Sequence, residues 1–271
     1  QLVATAALVI HSPEAGCATS TRKYVKQSSR EIVATCQQLV ELFLQKKPPA
    51  RADQIPAQKT GAVWSACDRA TSKLPKGNRN AMWRDLLTWI VECKETLEEF
   101  QQLVGLEESS GDTDISFEEF LQNQNASGYS VQELPVATQS LALIKCSRGS
   151  INVTMQAADQ LGKSAEKAVE SERAEELLDF ILQLHTLART VGEGMTDLGA
   201  CMYPPMELEE LQEETISQSD AILSLHDYVL NTLEDHLNQE TIELSSKIHA
   251  AAKKRKDNSI NAIQAAQQQQ A

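Results

Sequence analysis

Aromatic side chains make up only 4% of this 271-residue chain, and glycine and proline are sparse, at 11 and 8 residues. Burial must therefore come mainly from aliphatic stripes, and the dominance of Ala, Leu, Gln, Glu and Lys puts those stripes on helices. The chain also lacks long apolar runs. The longest, around Leu2 to Ile10, is about ten residues, roughly half of what a helix needs to cross a bilayer. Neither a membrane span nor a membrane partner is expected. The six cysteines, Cys17, Cys36, Cys67, Cys93, Cys146 and Cys201, never form a C-x-x-C pair and lie 19 to 55 residues apart, which excludes a zinc or redox framework. Several sit on apolar helical positions, as expected of reduced thiols in a cytoplasmic and nuclear protein.

A further gap is one of charge. Residues 95–144 carry ten acidic side chains and no Lys or Arg. The 94 residues before this stretch have a net charge of +7 and the 127 after it a net of −10, so the overall −13 is distributed as a pattern along the chain. Within the gap, residues 105–128 replace apolar periodicity with Ser, Gly, Asn and Asp and read as a linker. Inside it, Ile115-Ser-Phe-Glu-Glu-Phe-Leu121 alternates bulky apolar and acidic residues. Such a turn folds onto its own domain or onto a partner.

Helical periodicity flanks the gap on both sides. Val25, Ile32, Cys36, Leu39 and Phe43 form one stripe, widened by Val33, Val40 and Leu44, before Pro48-Pro49. Val63, Trp64, Cys67 and Ala70 share a side of a shorter helix. Met82, Leu86, Ile90, Cys93, Leu97, Phe100 and Val104 form an unbroken seam, with Trp83 and Trp89 beside it. Beyond Pro135, Ala137, Leu141, Ile144, Ile151, Met155 and Ala158 mark another helix. Leu177, Ile181, Leu184, Ala188, Val191, Met195 and Leu198 alternate spacings of 4 and 3, a pattern shared by coiled-coil seams and helix bundles. Gly192 and Gly194 permit close approach of a neighbour. Tyr203-Pro204-Pro205-Met206 ends that helix, and Leu208, Leu211, Ile222, Val229 and Leu233 line the next, which runs back antiparallel. A last helix is expected from about Thr241 to Ala252, followed by a basic and Gln-rich tail that frays.

The expected fold is all-α: antiparallel helical bundles in two modules joined by an acidic linker. Its parts are an N-terminal module over 1–104, the linker over 105–133, a C-terminal module over 134–252 and the tail over 253–271.

Motifs for chemistry are missing. The sequence has no phosphate-binding glycine loop, H-E-x-x-H zinc motif or nucleophile elbow. His11, His185, His226, His236 and His249 are isolated. His226 and His236 would lie about 15 Å apart along one helix, too far for a shared metal. These histidines read as solvated or capping residues, and Glu175-Glu176 and Glu213-Glu214 as solvated pairs. No catalytic, cofactor-binding or metal residue is expected, and no small-molecule substrate. Direct nucleic-acid binding is not expected either, because Arg22, Lys23, Lys26 and Arg30 are too few for a basic reading arm. The tight basic cluster Lys253, Lys254, Arg255 and Lys256 follows the helices and matches a short nuclear import signal.

Three stretches resemble one family. They are Ala62-Val-Trp-Ser-Ala-Cys67, Leu134-Pro-Val-Ala-Thr-Gln-Ser-Leu-Ala-Leu-Ile-Lys145 and Asp197-Leu-Gly-Ala-Cys-Met-Tyr-Pro-Pro-Met206. Taken in order, they resemble the GCIP family of cyclin-D-binding proteins, also described as Id-like helix-loop-helix regulators. The likeness runs from about Val9 to Glu214 and marks Trp64, Cys67, Tyr203, Pro204, Pro205 and Met206 as structural family positions. By resemblance, members carry several tens of residues before the point matching Gln1. With no Met at position 1, this chain is expected to be N-terminally truncated. The resemblance implies a non-enzymatic protein whose partners are D-type cyclins and transcription regulators, restraining cyclin-dependent progression. The alternative is a helical-bundle scaffold of the cytoskeletal or signalling type.

Overall fold

The computed structural model describes residues 19–44, 54–105, 128–167 and 171–270. Among them lie seven α-helices and one 3-10 turn, with no strand, so the fold is all-α. The helices are α1 (Thr19–Leu44), α2 (Gln54–Ser72), α3 (Gly77–Val104), α4 (Glu133–Lys167), α5 (Ser171–Cys201), α6 (Leu208–Thr232) and α7 (Gln239–Gln270), with the 3-10 turn Glu234–His236 before α7. The chain divides into two compact units, Gln1–Asp85 and Leu86–Ala271. The boundary falls inside α3, where the sequence led us to expect a break at 104–105. Most of 105–133 lies outside the described residues.

The second unit is a four-helix bundle with the C-terminal half of α3 added. Helix α4 packs against α5 and α7, and α6 packs against the same two, with lighter contact across the α4–α6 diagonal. Short connections at 202–207 and 233–238 make α5, α6 and α7 successive antiparallel neighbours. The 4-and-3 seam of α5 lies wholly in this core, from Leu177 to Leu198, so the repeat serves a bundle within the chain. The stripes of α4 and α6 are buried with it, apart from the half-buried Met155. On α3, Leu86, Cys93, Leu97, Phe100 and Val104 are buried and only Ile90 of the seam within this unit is half-exposed. Gly192 is needed where α5 meets α3: a Cβ there would come within 2.7 Å of the Trp89 ring.

Helix α7 corrects the expected frayed tail, because it continues from Ala252 to Gln270. Its buried positions are Thr241, Ser245, Ala252, Ser259, Ile263 and Ala266. They keep to one face, but most are small or polar, so the stripe carries little hydropathy and escapes a search for apolar periodicity.

The first unit has a thinner core. Helices α1 and α2 pair antiparallel, with Arg69 on Glu31 and Lys59 on Gln38. Residues 77–85 of α3 join them through Asp85, which accepts from Tyr24 at 2.8 Å and Lys23 at 3.1 Å, while Arg84 lies 4.8 Å from the centroid of the Tyr24 ring. Among the described residues of this unit, the buried apolar side chains are Ala66, Ala70, Ala81 and Met82. The α1 stripe is only half covered at Val25, Ile32, Cys36 and Leu39, and Val40, Phe43 and Leu44 are exposed. Trp64 is 67% exposed, which corrects its expected place beside Ala70. The buried residues of α2 are Ala66 and Ala70, whose small side chains suit close helix packing.

Candidate interaction surfaces

The most highly connected of the sequence-marked stretches is 197–206, between α5 and α6. Tyr129 donates its hydroxyl to the Met202 carbonyl at 2.8 Å, and Met206 donates its N–H to Glu133 Oε1 at 2.7 Å. The second Glu133 oxygen accepts the Ser130 N–H at 2.8 Å, while Glu133 N–H donates to Ser130 Oγ at 3.3 Å. This reciprocal pair is a capping box starting α4, legible in sequence as Ser130-Val-Gln-Glu133 and overlooked there. Burial alone would raise the Glu133 carboxyl, but the hydrogen bonds from Met206 and Ser130 outweigh it and hold the pKa below the usual carboxylate value.

Tyr203 faces outward, 47% exposed. Its hydroxyl donates to Glu99 Oε1 at 2.7 Å and its ring sits 5.0 Å from Phe100, so it bridges the α5–α6 connection to α3. That bond to a carboxylate, with a smaller contribution from burial, raises the phenol pKa. Met206 is buried, Pro204 half-buried and Pro205 exposed. The positions marked by the resemblance thus divide: the 203–206 group is gathered in one joint, whereas Trp64 and the half-buried Cys67 lie on α2.

Lys253, Lys254, Arg255 and Lys256 form a helical turn in α7. Lys253 and Lys254 are exposed, and Lys256 reaches Asp220 at 2.6 Å. Arg22, Lys23, Lys26 and Arg30 lie along the first turns of α1, with Lys23 on Asp85. Residues 115–121 and His11 fall outside the described residues.

Two histidines correct the expectation of solvated or capping roles. His226 is fully buried, with Nε2 2.9 Å from Ser150 Oγ and Nδ1 2.8 Å from Ser245 Oγ, so it ties α6 to α4 and α7. Burial, with a smaller effect of nearby His249, lowers its pKa to about 4 and keeps the ring neutral. His185 is buried and stacks on Trp89 at 5.7 Å. His249 lies 3.2 Å from Asp227, and His236 lies against Phe180. A heptad count sees both buried histidines as interruptions; only packing distinguishes them from surface residues.

The carboxylates Glu175, Glu176 and Glu213 are exposed and Glu214 is half-exposed. The five described cysteines are free, and burial pushes the Cys93 thiol up to about 12 and raises Cys146 and Cys201. Among the described residues, no group of three or more His, Cys, Asp or Glu side chains is placed to hold a metal ion. Nor is any described helix long and apolar enough to cross a membrane.

Residues 1–105 match the family model described as Grap2 and cyclin-D-interacting, N-terminal. Across 205 residues the chain is 27% identical to a cyclin-D1-binding protein 1 homolog from Danio rerio, an alignment covering 74% of this chain and 56% of that relative. The chain is thus similar to the GCIP family, through its first 105 residues by the family model and across 205 residues to that relative. The family model spans α1, α2 and α3, and thus reaches the helix that carries Glu99 and Phe100. The chain spans little more than half the length of the relative it matches.

Proposed function

We propose that this chain is a non-enzymatic interaction regulator that binds D-type cyclins and helix-loop-helix transcription regulators, restraining cyclin-dependent cell-cycle progression and transcription. The observation that carries the reading is the similarity to a cyclin-D1-binding protein homolog over 205 residues. The half-covered α1 stripe with exposed Val40, Phe43 and Leu44 supports it, since an amphipathic helix presents its anchors at such spacing. The proposal assigns no direct nucleic-acid, membrane or small-molecule role, and it treats sequestration of a partner helix as the mode of action.

Titration of purified chain against purified D-type cyclins tests the reading. Saturable binding supports it, and failure to bind any of them favours the second reading, a bundle scaffold of the cytoskeletal or signalling type. The up-and-down bundle of α4 to α7 supports that alternative, because long helix bundles recur in adaptors. A cytoplasmic and nuclear location is part of the first proposal. Entry through Lys253, Lys254, Arg255 and Lys256 requires the import receptor to read a helical turn or to unwind it, and unchanged nuclear accumulation after replacing all four by Ala removes that element.

A further inference from the structure

We propose that Tyr203 is a phosphorylation site whose modification releases the C-terminal half of α3 from the bundle. Accessibility singles it out. Of the four tyrosines, Tyr129 is buried, Tyr24 and Tyr228 are partly covered, and Tyr203 is exposed, on a non-helical connection that a kinase active site can grip. The surrounding charge adds the consequence. Beyond the basic gap at 95–144, residues 190–246 also contain no Lys or Arg, and neither do residues 257–271. The antiparallel order brings the first turns of α4 and α6 and the last turns of α5 and α7, none of which carries a Lys or Arg, to one end of the bundle.

A protein tyrosine kinase would supply the phosphoryl group from ATP. The Tyr203 oxygen attacks the γ-phosphorus, a new O–P bond forms, the bond to the β-phosphate oxygen breaks, ADP leaves, and the hydroxyl proton passes to the kinase base. The acidic flanks Asp197, Glu207, Glu209 and Glu210 suit kinases whose substrate grooves are basic. The product places about −1.5 to −2 charges on the oxygen that now donates to Glu99. The donor is lost, phosphate faces carboxylate, and the C-terminal end of the α5 dipole adds further repulsion. The positive end of α6 offers little relief, because Glu207, Glu209 and Glu210 already occupy its first turn. The contact between Tyr203 and Phe100 then separates, and Leu97, Phe100 and Val104, now buried, open to solvent or to a partner.

The test treats the full chain with a purified tyrosine kinase domain and ATP, maps the phosphate by mass spectrometry and follows amide hydrogen exchange. We expect phosphate on Tyr203, no label there in Tyr203→Phe, and exchange at residues 93–104 at least about tenfold faster, with residues 177–191 unchanged. In Glu99→Gln the acceleration should shrink, since the facing charge is gone. Preferential labelling of Tyr24 or Tyr228 overturns the proposal, as does labelling of Tyr203 without faster exchange in 93–104. The test involves no cyclin, so its failure and that of the proposed function are separable.

Discussion

A histidine ring whose two nitrogens both meet serine hydroxyls inside a helix bundle is held neutral by burial, with a smaller push from nearby His249. Protonating His226 would place a charge where burial keeps water from solvating it. With a folded pKa of about 4 against an ordinary 6.5, the unfolded chain binds more protons throughout that window. Stability must therefore fall as pH drops from 6.5 toward 4 and be unaffected by this group above it. Between pH 7 and 5 the loss amounts to about 2 kcal/mol. A His226→Leu chain starts less stable, because Ser150 and Ser245 lose their partner, but urea midpoints should show that this part of its pH slope has vanished. Gly192 is the second decisive residue. Gly192→Ala places a methyl against the Trp89 ring and should cost about 1–3 kcal/mol in urea unfolding, although Ala is the better helix former in isolation.

At the scale of elements, the sequence revealed helices through their large apolar residues and missed what small and polar residues do. The α5 seam was legible because Leu, Ile, Val and Met declare a 4-and-3 spacing. The α7 extension was not, since Ser259 and Ala266 take core positions with little hydropathy and only Ile263 gives a signal. Removing residues 253–271 should therefore lower the melting temperature, and an unchanged transition would mean that the segment adds nothing to the bundle. The joint before α6 illustrates the same division. Its prolines announced a break, but its fastening depends on Tyr129 and Glu133 some 73 residues earlier, a pairing that no local pattern contains. Glu133→Ala removes half of a capping box and the acceptor for Met206 N–H together, so thermal or urea unfolding should show a loss of about 2–3 kcal/mol. Trp64 escaped for the opposite reason: a bulky residue at an apolar position looks like core, yet the buried residues of that helix are alanines.

For the molecule as a whole, the two units differ in what can hold each together. The unit Leu86–Ala271 buries large side chains on five helical segments, among them Leu86, Phe100, Leu141, Ile144, Leu161, Leu184, Met195 and Leu198. Each such side chain contributes about 1.5–3 kcal/mol on burial, enough in sum to oppose the entropy of ordering its helices. Among the described residues of the first unit, Met82 is the one large apolar side chain that is fully buried, and the Asp85 contacts to Tyr24 and Lys23 are partly exposed to water. Isolated helices and hairpins depend on such packing, because propensity alone leaves them marginal. Residues 86–271 produced alone should thus unfold in one cooperative urea transition with most of their helical circular dichroism intact. Residues 1–85 produced alone should give a shallow, non-cooperative transition that steepens only when a partner covers the α1 stripe. A sharp independent transition for 1–85 would mean that its stability comes from contacts beyond those of the described helices, and would remove the reason to regard the α1 stripe as a docking face.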